Sequence, residues 1–218
     1  MITVQKSLIG SFGPARDQGP RPTCLLFAAS DNHAANRIGW SPLSVEYLCF
    51  HTGDAAAGIT HGVALNDALA SLKKSGQPIE SDYPYQLKGP LNSPPAFSED
   101  RLFRCDGKQL TATIDDITSP IASGHPVLIV MSISDAFYTP GPDAYVSSSE
   151  SVDPSRIHAV IGTGIGFANG RTCIQVRNSW GSGWGAHGYC WIDSEYLRIR
   201  LYQTATLEVG DCRGILAA

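Results

Sequence analysis

A chain of 218 residues, 43% of them hydrophobic, can bury a substantial core as one large domain or two small ones sharing an interface, which excludes a disordered or fibrous protein. Its 16 basic residues against 20 acidic ones give a formal charge of −4, and the basic residues are scattered, so there is no footprint for nucleic acid or an anionic membrane. No apolar run approaches the roughly 18 residues of a membrane-spanning helix.

Met1 to Gly10 lacks a basic region followed by an apolar one and lacks a small-residue cleavage site, so the chain as given is expected to carry no export signal. Cys24 to Ile38 is rich in Leu, Phe and Ala without Gly or Pro, which predicts a buried helix entered through Pro22 with Thr23 as N-cap. A short helix is expected near Ser44 to Phe50. A third runs from Val63 to Lys74, where Leu65, Leu69 and Leu72 share a face and Gly76 follows as a stop. Residues 86 to 100, with three prolines and no period, read as a loop approaching a structural boundary.

From there the character changes. Pro126 to Met131 is a short apolar run suited to a buried strand, and His158 to Gly166 and Thr172 to Val176 read as two more, joined around the turn signal Asn169-Gly170. Tyr189 to Ile192 is a fourth. Between Ser134 and Ile157 lies a stretch too long for an ordinary connection, read as a mobile loop or a ligand-contacting one. Gly162-Thr163-Gly164-Ile165-Gly166 looks like a phosphate loop, but Phe167 stands where a third glycine is needed and no helix follows.

The six cysteines, at 24, 49, 105, 173, 190 and 212, are sparse and irregular, which fits free thiols better than a disulfide framework. The histidines form no HExxH and no pair at metal-ligand spacing, so neither a metal nor a cofactor is expected. Cys24 differs from the other cysteines in its placement. At the start of a helix, aligned N–H dipoles stabilise a thiolate, the form in which a cysteine is a nucleophile.

Gln18-Gly19 six residues before Cys24, His158-Ala159, and the run Asn178-Ser179-Trp180-Gly181 resemble the papain family of cysteine peptidases in identity and in order. His158 follows Cys24 by 134 residues, and Asn178 follows His158 by 20. Leu43-Ser44, Asp82-Tyr83-Pro84-Tyr85, Pro126-Val127 and Gly188-Tyr189 are weaker echoes, so the resemblance runs from about Pro14 to Ile192. It implies an α+β papain-like fold: a helical half over 1–110 carrying Gln18 and Cys24, a β-rich barrel-like half over 111–218 carrying His158 and Asn178, and an active site in the cleft between them. It further implies that His158 holds the Cys24 thiolate as an ion pair and protonates the leaving amine, that Asn178 fixes the imidazole's tautomer while Trp180 shields their bond, and that Gln18 and the Cys24 N–H meet the oxyanion. By the same resemblance, Gly62 pairs with the substrate backbone, and Val130 and Ala159 line a specificity pocket.

The chain departs from the family around the nucleophile, where Arg21-Pro22-Thr23-Cys24-Leu25 stands in place of Cys-Gly-Ser-Cys-Trp, and at Ile59-Thr60-His61-Gly62, where Cys-x-Gly-Gly is usual. Both partners of one family disulfide are missing together, consistent with an enzyme working in the cytoplasm or delivered into a target cell's cytoplasm. Pro22 and His61 replace two glycines that bound the pocket before the cleaved bond, so a shallow pocket favouring Gly is expected. The expected partner is a protein or peptide substrate, with a proteinaceous inhibitor or immunity protein as restraint if the chain is an effector or toxin; neither nucleic acid nor membrane is expected. The rearranged 21–25 segment leaves open an acyltransferase, transglutaminase or deamidase, or a non-catalytic binding module, on the same scaffold.

Overall fold

The computed structural model describes residues 1–37, 39–52, 61–88, 92–147 and 150–208. A strand, β1 (Thr3–Ser7), comes first, followed by three helices: α1 (Cys24–Ala35), α2 (Val45–Thr52) and α3 (Leu65–Lys74). Then follow β2 (Asp106–Leu110), α4 (Ile114–Ala122), β3 (Val127–Ser132), α5 (Asp135–Tyr138) and β4 (Tyr145–Val146). The chain continues through β5 (Ile157–Ala168), β6 (Arg171–Arg177), β7 (Tyr189–Asp193), α6 (Ser194–Arg200) and β8 (Leu201–Glu208).

Local chemistry explains most of the boundaries. On α3 the leucine face is buried, and Gly76 ends the helix with φ +68° while its N–H reaches the Ser71 carbonyl at 3.2 Å. Asn169 and Gly170 both take positive φ, 52° and 75°, the two-residue turn that matches strand twist, and join β5 to β6. Thr23 does not cap α1 through its side chain. Its hydroxyl instead meets the Tyr85 hydroxyl at 2.9 Å, so the start of the helix is anchored by a side chain from the 80–88 segment.

Among the described residues the strands form an eight-stranded sheet ordered β2-β8-β3-β5-β6-β7-β4, with β1 added against the second half of β5. β1 and β2, both drawn from residues before 111, thus lie in this sheet through β5 and β8. The three glycines of the 162–166 run serve packing, with no helix after them to hold a phosphate: a Cβ on Gly164 would come within 2.8 Å of the Lys6 carbonyl, and one on Gly166 within 2.8 Å of the Trp191 ring.

β3 is buried along its whole length and divides two cores. Leu128 and Val130 point into a cluster with Leu26, Val45 and Leu72 of the helices. Val127, Ile129 and Met131 face the other way, toward Ile117 and Ile121 of α4 and Ile192 of β7. A helical layer and a sheet-bound layer therefore meet at β3 and β5.

The meeting is pinned by buried charge. Asp31 of α1 takes Arg16 Nε at 2.7 Å on one carboxylate oxygen and Arg177 Nε at 2.9 Å on the other. Arg177 is 1% exposed and spends its remaining donors on the carbonyls of Gly13 and Pro14 and on the Tyr189 hydroxyl. Such a pair is tolerated in low dielectric because every donor has a partner.

Candidate active site

Cys24 is the first residue of α1, and α1 packs against β3 and β5 through Leu25, Ala28, Val130 and Ala159. This seats the sulfur against the beginning of β5, where the N–H of Ala159, with the amides of Cys24 and Leu25, favours its anion. His158, one residue before that N–H, is 5% exposed. Cys24, His158 and Gln18 line one cleft of about 480 Å³, together with Pro22, Gly62, Val130, Ala159 and Trp180. A larger hollow of about 720 Å³, lined by Tyr47, His51, Lys74 and Phe97 among others, contains none of the predicted site residues.

His158 Nε2 lies 2.7 Å from Asn178 Oδ1. The same oxygen accepts the Ser179 N–H at 2.8 Å, which fixes the orientation of the amide group. An acceptor at Oδ1 requires the imidazole hydrogen on Nε2, leaving Nδ1 to exchange a proton in the cleft. Trp180 covers this pair: its ring centroid is 4.6 Å from that of His158, with Phe137 at 5.8 Å from the imidazole.

Gln18 arrives by a short ladder. Its N–H donates to the Ser179 carbonyl at 2.9 Å, Asp17 bridges Trp180, and Gly181 N–H donates to the Arg16 carbonyl at 3.0 Å. The side chain is then locked at both ends: Oε1 accepts the Ser179 hydroxyl at 2.6 Å, and Nε2 donates to the Arg21 carbonyl at 2.9 Å. An amide nitrogen has two hydrogens, so one remains for an oxyanion. Ser179 thus touches both Gln18 and Asn178. Sequence reasoning singled out its neighbours and passed over it, although its place inside the Asn-Ser-Trp run was the available signal.

Burial sets the electrostatics. It pushes the Cys24 thiol up, and the three amides pulling it down are the smaller effect, so the helix start does not by itself hold a thiolate. It also pushes His158 down to about 4, opposed by the bond to Asn178. Each group by itself is therefore neutral near pH 7. A thiolate and an imidazolium can coexist here only as a pair formed by proton transfer between them.

Among the outer residues, Pro22, Gly62, Val130 and Ala159 all line the cleft, the last two with 8% and 2% exposure. A Cβ built on Gly62 meets nothing within 4 Å, so the protein itself leaves that space open. His61 is exposed beside Gly62 and is not part of the lining. Ile59 and Thr60 lie outside the described residues. The 134–157 stretch contributes Tyr138, Ser155, Arg156 and Ile157 to the cleft.

The sequence pattern of the papain family cysteine proteases matches residues 11–207. Germination-specific cysteine protease 1 of Arabidopsis thaliana is 27% identical over 186 residues, covering 83% of this chain and 48% of that protein. Digestive cysteine proteinase 2 of Homarus americanus is 26% identical over 201 residues, covering 83% and 57%. The chain thus spans about half the length of these two relatives. Xylellain, a cysteine protease from Xylella fastidiosa, aligns in structure with a TM-score of 0.74 at 17% identity, covering 95% of this chain and 90% of that one. Bromelain from Ananas comosus, solved with the E64 inhibitor, gives 0.72 at 19% identity over 92% and 95%, and both likenesses establish the α+β papain-like fold. With the family pattern running through both walls of the cleft, the chain belongs to the papain family of cysteine proteases.

Proposed function

We propose that the protein hydrolyses peptide bonds, with Cys24 as nucleophile, His158 as proton carrier, Asn178 as its orienting partner and Gln18 as an oxyanion donor. The single observation that supports this most is the His158 Nε2 bond to Asn178 Oδ1, which leaves Nδ1 for the cleft in which Cys24 stands. The Cys24 sulfur, its proton passed to His158, attacks the carbonyl carbon. The oxyanion so formed is met by the Cys24 N–H and the second hydrogen of Gln18 Nε2. Collapse breaks the C–N bond, and His158 gives its proton to the departing amine. Water, deprotonated by His158, then cleaves the thioester.

Cys24→Ala and His158→Ala are each expected to abolish cleavage of a peptide library without changing the fold, since the two act as one unit. Full activity in Cys24→Ala would end the proposal. Mass spectrometry after treatment with an epoxide inhibitor of the E64 type should find the adduct on Cys24. A product assay with added amines separates hydrolysis from acyl transfer.

The narrower reading is a preference for Gly, or at most Ala, before the cleaved bond. Pro22 supports it by standing in the cleft where side-chain bulk fills space; His61, outside the lining, contributes less to it. A cleavage profile accepting Arg or Lys freely at that position would overturn it.

A further inference from the structure

The segment from Gln18 to Thr23 begins with one proposed oxyanion donor and leads into the other, the Cys24 N–H, yet it lies outside every strand and helix. Its pivot is the peptide of Arg21. That carbonyl accepts Gln18 Nε2 at 2.9 Å and the Thr23 N–H at 2.8 Å. Where it stands therefore decides where the second hydrogen of Gln18 Nε2 points, and it braces the last residue before α1.

The Arg21 side chain is held by the helical layer. Its Nη1 donates to Glu46 Oε2 of α2 at 2.6 Å and to the Gln86 carbonyl at 2.5 Å, and the guanidinium lies 4.7 Å from the centre of the Tyr85 ring. The Arg21 and Glu46 side chains are 11% and 1% exposed. Glu46 Oε2 also accepts the Gln86 N–H at 3.2 Å, and the Tyr85 hydroxyl donates to the Gln18 carbonyl at 2.9 Å. The same cluster thus grips the segment at Gln18 and at Arg21, while Arg21, Glu46 and Tyr85 are not part of the cleft lining.

A buried ion pair adds little net stability once its desolvation is counted, so its conspicuous effect here is geometric. An oxyanion donor works by being aimed before the charge appears. We propose that Arg21, tied to Glu46, is a positioning residue: through its carbonyl it sets the aim of Gln18 Nε2 and the entry to Cys24 without touching the substrate. The inference rests on the peptidase reading and adds a residue to it.

Two reactions of Cys24 separate this role from support of the fold. Iodoacetamide alkylates the thiolate at a saturated carbon, the S–C bond forming as iodide leaves, and no oxyanion arises; peptide hydrolysis passes through one. Arg21→Met should lower kcat at least about tenfold with KM within about twofold, the loss expected of a misaimed donor. Alkylation of Cys24, followed by mass spectrometry, should stay within about threefold of the native rate. In a Gln18→Ala background the same substitution should lower kcat by no more than about threefold, because the donor it aims is gone. Arg21→Lys keeps a cation for Glu46 but not the flat group over Tyr85, so its kcat should fall between the two, and it carries the test if Arg21→Met does not fold. Unchanged kcat in these variants, or equal losses in hydrolysis and alkylation, overturns the inference, as does an undiminished loss in the Gln18→Ala background. A native protein that is alkylated at Cys24 but cleaves no member of a peptide library overturns the peptidase reading and this inference with it.

Discussion

At the scale of single residues, the site depends on groups that are neutral apart and charged together. If the thiol is what keeps His158 protonated, Cys24→Ala should let the imidazole titrate near 4, where burial places it, whereas the native protein should hold the imidazolium to higher pH. NMR titration of the His158 ring in both proteins decides this; identical curves would remove the ion pair from the mechanism. Ser179 makes a second prediction. Its hydroxyl holds Gln18 Oε1 and its N–H holds Asn178 Oδ1, but Ser179→Ala deletes only the first. Turnover should fall by roughly tenfold with little change in KM, less than the ~100-fold or more expected for Gln18→Ala, which loses the donor outright. A loss confined to KM would place Ser179 in substrate binding instead. Cys24, His158 and Asn178 were legible because their types, order and spacing are carried along the chain. Ser179 was not, because its role arises from which side chains the fold brings across a gap.

At the scale of elements, α1 carries the nucleophile at one end and two buried ionisable side chains further along. His33, fully buried, is held neutral with its pKa lowered from 6.5 to about 4 by that burial, and its Nε2 has no hydrogen-bond partner among the described residues. The folded state therefore binds this proton less readily than the unfolded chain: the stabilisation is fully present above about 6.5 and is lost as pH falls toward about 4, on the order of 3 kcal/mol. Urea midpoints between pH 7 and 4 should fall less steeply in His33→Gln than in the native protein. Asp31, two turns beyond Cys24, ties α1 to Arg177 beside Asn178, so Asp31→Ala should cost about 3–5 kcal/mol by leaving Arg177 buried without its carboxylate. Helices with an apolar face and a glycine stop were readable, as α3 shows. By contrast, α4 hid behind Pro120 although Thr113 and Asp116 form its capping box, and β8, Leu201–Glu208, alternates too many polar residues to announce itself.

At the scale of the whole molecule, Cys24, Cys49, Cys105, Cys173 and Cys190 are free thiols, while Cys212 lies outside the described residues. Unfolding with and without reductant should therefore give the same midpoint, and a midpoint that drops under reductant would reveal a bridge. Without cross-links, rigidity has to come from how the sheet is connected, and β5 is its hub. Its first half pairs with β3, its second half with β1, and most of its other edge with β6, so one strand is flanked along nearly all its length. Between Ile161 and Phe167 it has β6 on one edge and β3 or β1 on the other, whereas His158 is paired on one edge alone, with Met131 of β3. Deuterium should enter the centre of β5, from Ile161 to Phe167, last of all, on the timescale of global unfolding, and should enter the first turn of α1 much sooner. The two walls of the cleft would then have unequal lifetimes. The histidine would sit next to the stretch of sheet that opens last, and the cysteine on a helix end that is released and recaptured more readily.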